Sequence, residues 1–322
     1  MKENDIRPND LFEKYVELCT KDSLLFDFSK FEEVSCPACK SENKKFKFLK
    51  NNFTYKSCEN CGSVFCSPRP GEKELHKFYY ESEASRYWAN VFIPAMTEIR
   101  IEKLFRKKAV RMIEIIDKYN LKIDKICDVG AGSGILLDEL RALRSKYQYY
   151  AIEPGMDFAD VCRKKGYTTI EDTLENVPSG EYDFDLIISQ EVIEHISYPQ
   201  KFIYSMNKCL KPGGYCLVTG LGYEGFDILS LQEKSKCILP PPHLNFLSIK
   251  GFETIFTMNG FEIIDIQTPG ELDVDIVANS KYCSEFVKVL INRGSDCIEE
   301  FQKFLNKYKL SSHVWIFARK LC

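Results

Sequence analysis

Three of the residues best suited to proton or metal chemistry fall within one short run, Gln190-Glu191-Val192-Ile193-Glu194-His195. A fourth, His243, lies in Pro240-Pro241-Pro242-His243-Leu244-Asn245-Phe246. The chain has only four histidines, at 76, 195, 243 and 313. Histidine is the side chain that exchanges a proton most readily near neutral pH. His195 and His243, with Glu191 and Glu194 beside them, are therefore the candidates for removing a proton from a reacting hydroxyl. If Glu191 opens a helix, positions 194 and 195 share its face. Two carboxylates and two imidazoles could then surround one Mg²⁺ or Mn²⁺ ion. The plainer alternative, a glutamate–histidine pair acting as base or as a hydrogen-bonded structural element, stays open. Cysteines supply a second constellation. Cys36-Pro37-Ala38-Cys39 and Cys58-Glu59-Asn60-Cys61 are two C-x-x-C knuckles separated by a hairpin-sized stretch, a spacing that aims four thiolates at one tetrahedral zinc. A redox role would call for a thioredoxin-like βαβ setting, which the flanking residues lack. Cys66, on an expected strand, is not counted as a ligand.

The chemistry of the glutamates and histidines needs a bound partner, and Asp128-Val129-Gly130-Ala131-Gly132-Ser133-Gly134 supplies a cradle for one. A short apolar run breaks into three glycines and restarts as an amphipathic helix at Ile135. Glycine lets backbone approach a ligand without a Cβ clash. A dinucleotide fingerprint would place its third glycine at position 135, one residue later than this chain does. Asp128 would repel a pyrophosphate but suits a ligand that carries an ammonium group. S-adenosylmethionine is such a ligand. Glu153, at the end of the next strand, stands where Rossmann-like folds place a ribose-binding acid. Asp172 is a candidate for the adenine amine. Gln190 is expected to face the cofactor from the end of the fourth strand.

With these residues the chain resembles the class I S-adenosylmethionine-dependent methyltransferases. The matching runs are Asp128 to Gly134, Glu153-Pro154, Phe184 to His195, and Leu210-Lys211-Pro212-Gly213-Gly214. The likeness covers roughly residues 100 to 322, and is greatest to the branch holding ubiquinone-type O-methyltransferases and methyltransferases of bacterial surface-polysaccharide clusters. It implies an α/β fold, a Rossmann-like seven-stranded sheet with helices on both faces and one antiparallel strand in the last pair. It also implies methyl transfer to a small hydroxylated acceptor, with a sugar nucleotide or glycan intermediate as the class the polysaccharide likeness adds. The segment before the core helix closes over the cofactor in that family, so Tyr79, Tyr80, Tyr87 and Trp88 are candidate lid residues. The glutamate–histidine pattern is similar to that of metal-dependent small-RNA 2′-O-methyltransferases. RNA methylation guided by the zinc ribbon, and an inactive interaction scaffold, are the alternative readings.

Residues 1–35 are expected to be a helical segment, with Asn9-Asp10 capping a helix. Residues 36–70 form the zinc ribbon, whose arms Lys45 to Phe48 and Phe53 to Lys56 alternate as a hairpin and end in a linker at 67–71. Lid and linker helices fill 71–120, including one long helix from about 93 to 119. The cofactor-binding domain spans 121–322, with strand–helix alternation and a helical insertion at 271–312. Forty-four basic and 47 acidic residues give a net charge of −3, so nothing global calls for nucleic acid or a membrane surface. No apolar run has the length of a membrane helix or the form of a signal peptide, and fourteen cysteines then read as reduced thiols in a cytoplasmic protein. The oligomeric state is not legible.

Overall fold

Helices α1 (Glu3–Ile6) and α2 (Asn9–Asp22) open the chain in a computed structural model that describes residues 1–321. α2 buries Phe12, Leu18 and Cys19, with Tyr15 and Val16 half-buried between them, a single helical stripe. Strands β1 (Lys44–Lys50) and β2 (Phe53–Cys58) are the hairpin between the two cysteine knuckles. Asn51 and Asn52 join them at φ 47° and 64°, the left-handed backbone that a two-residue hairpin turn requires. β3 (Val64–Cys66) pairs with β2 and carries Cys66 away from the knuckles. The lysines of this arm are answered from within the chain. Lys56 meets Glu33 at 2.8 Å, Lys45 meets Glu59 at 3.5 Å, and Lys50 Nζ donates to the Ser235 carbonyl at 2.6 Å.

Helices α3 (Glu72–Glu81), α4 (Glu83–Tyr87), α5 (Ile93–Arg100) and α6 (Arg106–Lys118) follow. The expected single helix from 93 to 119 is interrupted. Wide π-type turns occupy Trp88–Phe92 and Ile101–Phe105. Each extra residue in a turn rotates the faces that follow it. The second π-type turn thereby sets the phase between Arg100 and the buried stripe Ala109, Met112, Ile113 and Ile116 of α6.

From there the chain alternates. β4 (Lys125–Val129), α7 (Ile135–Leu143), β5 (Gln148–Ile152), α8 (Met156–Lys164) and β6 (Thr168–Ile170) form one half. β7 (Phe184–Gln190), α9 (Pro199–Cys209), β8 (Leu210–Leu221), α10 (Phe226–Leu231), a short β9 (Asn245–Phe246), α11 (Ile249–Met258) and β10 (Phe261–Gln267) come next. The insertion is helical, as expected: α12 (Asp273–Ala278), α13 (Glu285–Asn292) and α14 (Ser295–Lys307). β11 (His313–Lys320) ends the sheet.

Seven strands lie in the order β10–β11–β8–β7–β4–β5–β6. β11 runs antiparallel to both neighbours, while β8, β7, β4, β5 and β6 are mutually parallel. Strand order reverses at β4, which lies between β5 and β7, and α/β sheets bind ligands beyond the carboxyl ends of such strands. Alternate residues of the central strands feed two cores. Ile126, Leu186, Ile188, Leu217 and Trp315 pack under α6 and α7. Cys127, Val129, Ile187, Val218 and Ile316 belong to the other core, which also takes in Cys36, Ala38, Cys58, Cys61 and Phe65 of the ribbon. The ribbon shares backbone as well. β3 pairs antiparallel with β9, Val64 opposite Phe246, making a four-stranded sheet β1–β2–β3–β9. The stretch expected as a linker is packed rather than loose. Arg69 is 2% exposed, and its Nη1 donates to the Ser197 carbonyl at 2.7 Å.

Candidate functional site

The glycine turn leaves the carboxyl end of β4 with Gly130, Gly132 and Gly134 at φ 74°, 54° and 73°. A Cβ at Gly130 would lie 2.6 Å from Val192 Cγ2, so close packing excludes a side chain there. A Cβ at Gly132 would meet nothing within 4 Å, so its bare backbone fronts open space, which is the form of a ligand cradle. Glu153 pins this turn. One carboxylate oxygen accepts the Gly132 N–H at 2.7 Å, and the other accepts the Gly155 N–H at 2.9 Å. Asp128, 3% exposed, has one carboxylate oxygen shielded and without a partner. Burial, then the charge of Glu153, pushes its pKa up to about 8. Gln190, at the end of β7, also has a shielded side-chain oxygen with no partner. Asp172 lies just beyond β6 on the same rim, and accepts from Thr173 N at 2.7 Å and Asn176 Nδ2 at 2.8 Å.

The run 191–195 does not form a helix. Glu191 has φ 51°, and its N–H donates to the Thr219 carbonyl at 3.1 Å; a tight turn follows, closed by His195 N to Val192 O at 2.9 Å. The helical spacing that would have gathered Glu191, Glu194 and His195 on one face is therefore absent. Glu191 turns toward β8 and β11 instead. Its Oε1 lies 2.8 Å from Thr219 Oγ1, 3.2 Å from His313 Nδ1 and 3.4 Å from Lys108 Nζ. Burial alone would raise Glu191, but these partners hold it ionised, well below the usual carboxylate range. Glu194 is the opposite case. It is 2% exposed, its Oε2 has no partner, and burial, then the Glu191 charge, raises it.

The backbone of Glu194 brings the two histidines together. Its carbonyl accepts N–H groups of Leu244 and Asn245 at 2.8 and 3.1 Å, and Asn245 Nδ2 donates to the Ile193 and Ile196 carbonyls. The His195 and His243 rings consequently lie 4.9 Å apart. His195 Nδ1 is 2.9 Å from the Pro242 carbonyl, and His243 Nδ1 is 2.7 Å from the Cys237 carbonyl. A carbonyl only accepts, so each ring carries its proton on Nδ1 and presents a bare Nε2 lone pair. Burial lowers both pKa values and keeps the rings neutral. Tyr79 Oη lies 3.2 Å from His195 Nδ1, and Tyr80 Oη donates to the Pro154 carbonyl at 2.6 Å, so α3 spans the two halves of the rim. Tyr87 and Trp88 instead pack against α2: Tyr87 Oη donates to Leu11 O, and the Trp88 ring lies 4.6 Å from that of Tyr15.

Among the described residues, only Cys36, Cys39, Cys58 and Cys61 bring three or more metal-ligating atoms within 4.8 Å of one another. Their Sγ–Sγ separations of 3.6 Å (Cys36–Cys61) and 3.5 Å (Cys39–Cys58) are close to the edge of about 3.8 Å that 2.3 Å zinc–sulfur bonds give in a tetrahedron. Glu191, Glu194, His195 and His243 have no such convergence, so the four-ligand arrangement expected for Mg²⁺ or Mn²⁺ is not formed.

The Methyltransferase domain family matches residues 96–266, more than half of the chain. The chain belongs to that family. A ubiquinone biosynthesis O-methyltransferase of Proteus mirabilis is 29% identical over 153 residues, 45% of this chain and 58% of the relative, so the chain spans little more than half of that protein's length. A mitochondrial ubiquinone biosynthesis O-methyltransferase of Dictyostelium discoideum is 24% identical over 229 residues, 59% of this chain and 68% of the relative. The structure of the plantazolicin methyltransferase BpumL in complex with SAH superposes with a TM-score of 0.51 over 77% of this chain and 94% of that one, at 12% identity. The Rossmann-like methyltransferase fold is thereby shared.

Of the residues singled out from the sequence, Asp128, Gly130, Gly132, Gly134, Glu153 and Gln190 lie at or just after the ends of β4, β5 and β7, Asp172 lies beyond β6, Glu191 turns toward β8 and β11, and the His195 and His243 rings adjoin each other. Sequence reasoning missed the partners of Glu191. His313 stands at the start of β11, opposite Leu221 at the end of β8, a register that exists only once the antiparallel strand is inserted. Lys108 belongs to α6 and carries no local signal. Glu191 and His313 keep 35% and 23% of their side-chain surface accessible; burial lowers the His313 pKa, while its partners lower that of Glu191 against burial.

Proposed function

We propose that the protein transfers the methyl group of S-adenosylmethionine to a hydroxyl of a small acceptor. A sugar nucleotide or glycan intermediate is the leading acceptor class. The observation that carries this reading is the pair of bare Nε2 lone pairs held together just beyond β7, the neighbour of the strand that the open glycine turn leaves. The residues present fit the cofactor. Asp128 supplies an unpartnered acid for its ammonium group, Gly130, Gly132 and Gly134 leave room for its body, Glu153 and Gln190 face the ribose region, and Asp172 bounds the adenine side. Bound there, S-adenosylmethionine supplies an electrophilic methyl group on a sulfonium.

The rest is done by the chain. His195 Nε2 accepts the proton of the acceptor hydroxyl, and the Pro242 carbonyl holds the ring in the tautomer that allows it. His243, whose bare Nε2 can only accept, takes a hydrogen bond from a neighbouring hydroxyl of the acceptor. Glu191, ionised, and Glu194, held neutral by burial, give the site an acceptor and a donor for neighbouring hydroxyls. Tyr79 and Tyr80 of α3 exclude water. Cys36, Cys39, Cys58 and Cys61 hold a structural zinc that fixes the β3 side of the site. Calorimetry with S-adenosylmethionine, followed by a screen of hydroxylated acceptors for S-adenosylhomocysteine release, tests the reading. A folded protein that binds no S-adenosylmethionine would sink it.

A further inference from the structure

Two guanidinium groups near the histidine and Glu191 side of the site have no acid against them, Arg7 next to Cys237 and Arg100 at the end of the helix that α1 packs on. Arg7 follows α1, and its Nη1 lies 3.6 Å from Cys237 Sγ; the carbonyl of that same Cys237 holds His243. The Arg7 guanidinium also lies 5.2 Å over the Phe12 ring. Arg100 ends α5. Its Nε is shielded from solvent and has no partner, and its guanidinium lies 6.0 Å from the Phe105 ring. Among the described residues neither arginine has a carboxylate oxygen within 4 Å. The two differ: burial, then the Arg7 charge, brings Arg100 down to about 10, whereas Arg7, which burial alone would lower, is held above its ordinary value by Cys237 and Glu3. The acids that act on them from farther off are Glu3 and Glu191, and Glu191 is already engaged by Lys108, Thr219 and His313.

A shielded guanidinium nitrogen without an anion is costly, and a second cation near it adds to the cost. Folds keep such arrangements where a ligand brings the missing charge. Lys108 adds a third cation beside Glu191. Two guanidiniums and an ammonium call for more negative charge than one carboxylate carries. Guanidinium forks also match phosphate oxygens two at a time.

We infer that Arg7 and Arg100 bind a phosphate group of the methyl acceptor while its hydroxyl lies at His195. The inference rests on the methyltransferase reading above and narrows its acceptor to a phosphorylated or nucleotide-linked hydroxyl compound. It also gives the N-terminal segment a role, since α1 and the turn after it complete the acceptor site.

The test is calorimetry on the zinc-loaded 322-residue chain saturated with S-adenosylhomocysteine, using inorganic pyrophosphate, uridine diphosphate and acetate as probes. Pyrophosphate is expected to bind with a Kd of about 1 mM or tighter, and acetate at least about tenfold more weakly. Arg7→Gln and Arg100→Gln are each expected to weaken pyrophosphate by about tenfold or more, with S-adenosylhomocysteine affinity unchanged and the unfolding temperature equal or higher. Tighter binding of uridine diphosphate than of pyrophosphate points to a nucleotide-linked acceptor; equal binding points to a simple phosphate ester. No pyrophosphate binding at about 10 mM in protein that holds S-adenosylhomocysteine overturns the inference. So does a double variant that binds like wild type, or a variant whose unfolding temperature falls, which would make the arginines structural. Loss of S-adenosylhomocysteine binding in the wild-type protein would instead strike the underlying reading.

Discussion

Asp128 is a carboxyl that the ligand-free protein holds at a cost. Its folded pKa of about 8 lies far above the ordinary aspartate value of about 3.9. Between those two pH values the unfolded chain has lost the proton and the folded one keeps it. Folding stability therefore falls as pH rises through that window and levels off above the folded pKa. Asp128→Asn should flatten this slope and raise the unfolding temperature of the ligand-free protein at pH 7–8. It should also weaken S-adenosylmethionine by about 1–3 kcal/mol, the scale of a lost charge-assisted hydrogen bond. Thermal melts across pH and calorimetry read the two effects, and a variant both less stable and equally tight would refute the assignment. His195 makes a second residue-scale prediction. Burial lowers its pKa, so the neutral base persists below the usual histidine value. The acid limb of kcat/KM should fall below pH of about 6.5. His195→Gln should cut kcat by about 10²–10⁴-fold with S-adenosylmethionine affinity unchanged; an acid limb at or above the usual value would argue for another base. At this scale the sequence was most readable where chemistry is local. Asp128, the glycines and Glu153 announce themselves by spacing along two strand ends. Glu191 misled because a single left-handed φ, invisible in a run of helix-compatible residues, turned it toward Lys108 and His313.

The cysteine ribbon is an element legible from spacing alone, because two tight knuckles and one hairpin are all the geometry it needs. Its attachment was not legible. β9 is two residues long and lies in a proline-rich stretch, so no periodicity marks it as a strand. Yet that pairing sets Leu244 and Asn245 against the Glu194 carbonyl and so aligns both histidines. A structural defect in the ribbon should therefore reach the chemistry. Cys58→Ser is expected to lower bound zinc from one ion per chain toward none. It should destabilise the protein by several kcal/mol, as lost structural zinc sites do, and depress methyl transfer more than S-adenosylmethionine affinity. Metal analysis, thermal melts and single-turnover assays separate these. Zinc content of wild-type protein near zero, with the fold intact, would remove the metal assignment. The interrupted arm α5–α6 shows the opposite limit: its apolar stripe read as one helix, and nothing in residue type signals where a π-type turn inserts an extra residue.

At the scale of the whole molecule, strand–helix alternation made a parallel sheet with right-handed crossovers readable, while the seven-stranded form with its antiparallel strand came from the methyltransferase likeness. That the ribbon is part of the same body was not readable, because the joining contacts are distant in the chain. Cys36, Ala38, Cys58, Cys61 and Phe65 share a core with Ile187, Val218 and Phe252. Calorimetry should accordingly show one unfolding transition for the zinc-loaded protein; two resolved peaks would mean the ribbon melts by itself. The β3–β9 pairing also has a bearing on biosynthesis. Val64 leaves the ribosome 182 residues ahead of its partner Phe246 (246 − 64). At a synthesis rate of about 5–20 residues per second, the nascent ribbon waits roughly 10–40 s for its last strand. Throughout that interval the apolar flank of β3 is open to other chains. On the zinc reading proposed above, metal capture by the four cysteines would clamp the knuckles before the rest of the polypeptide exists and so limit the exposure.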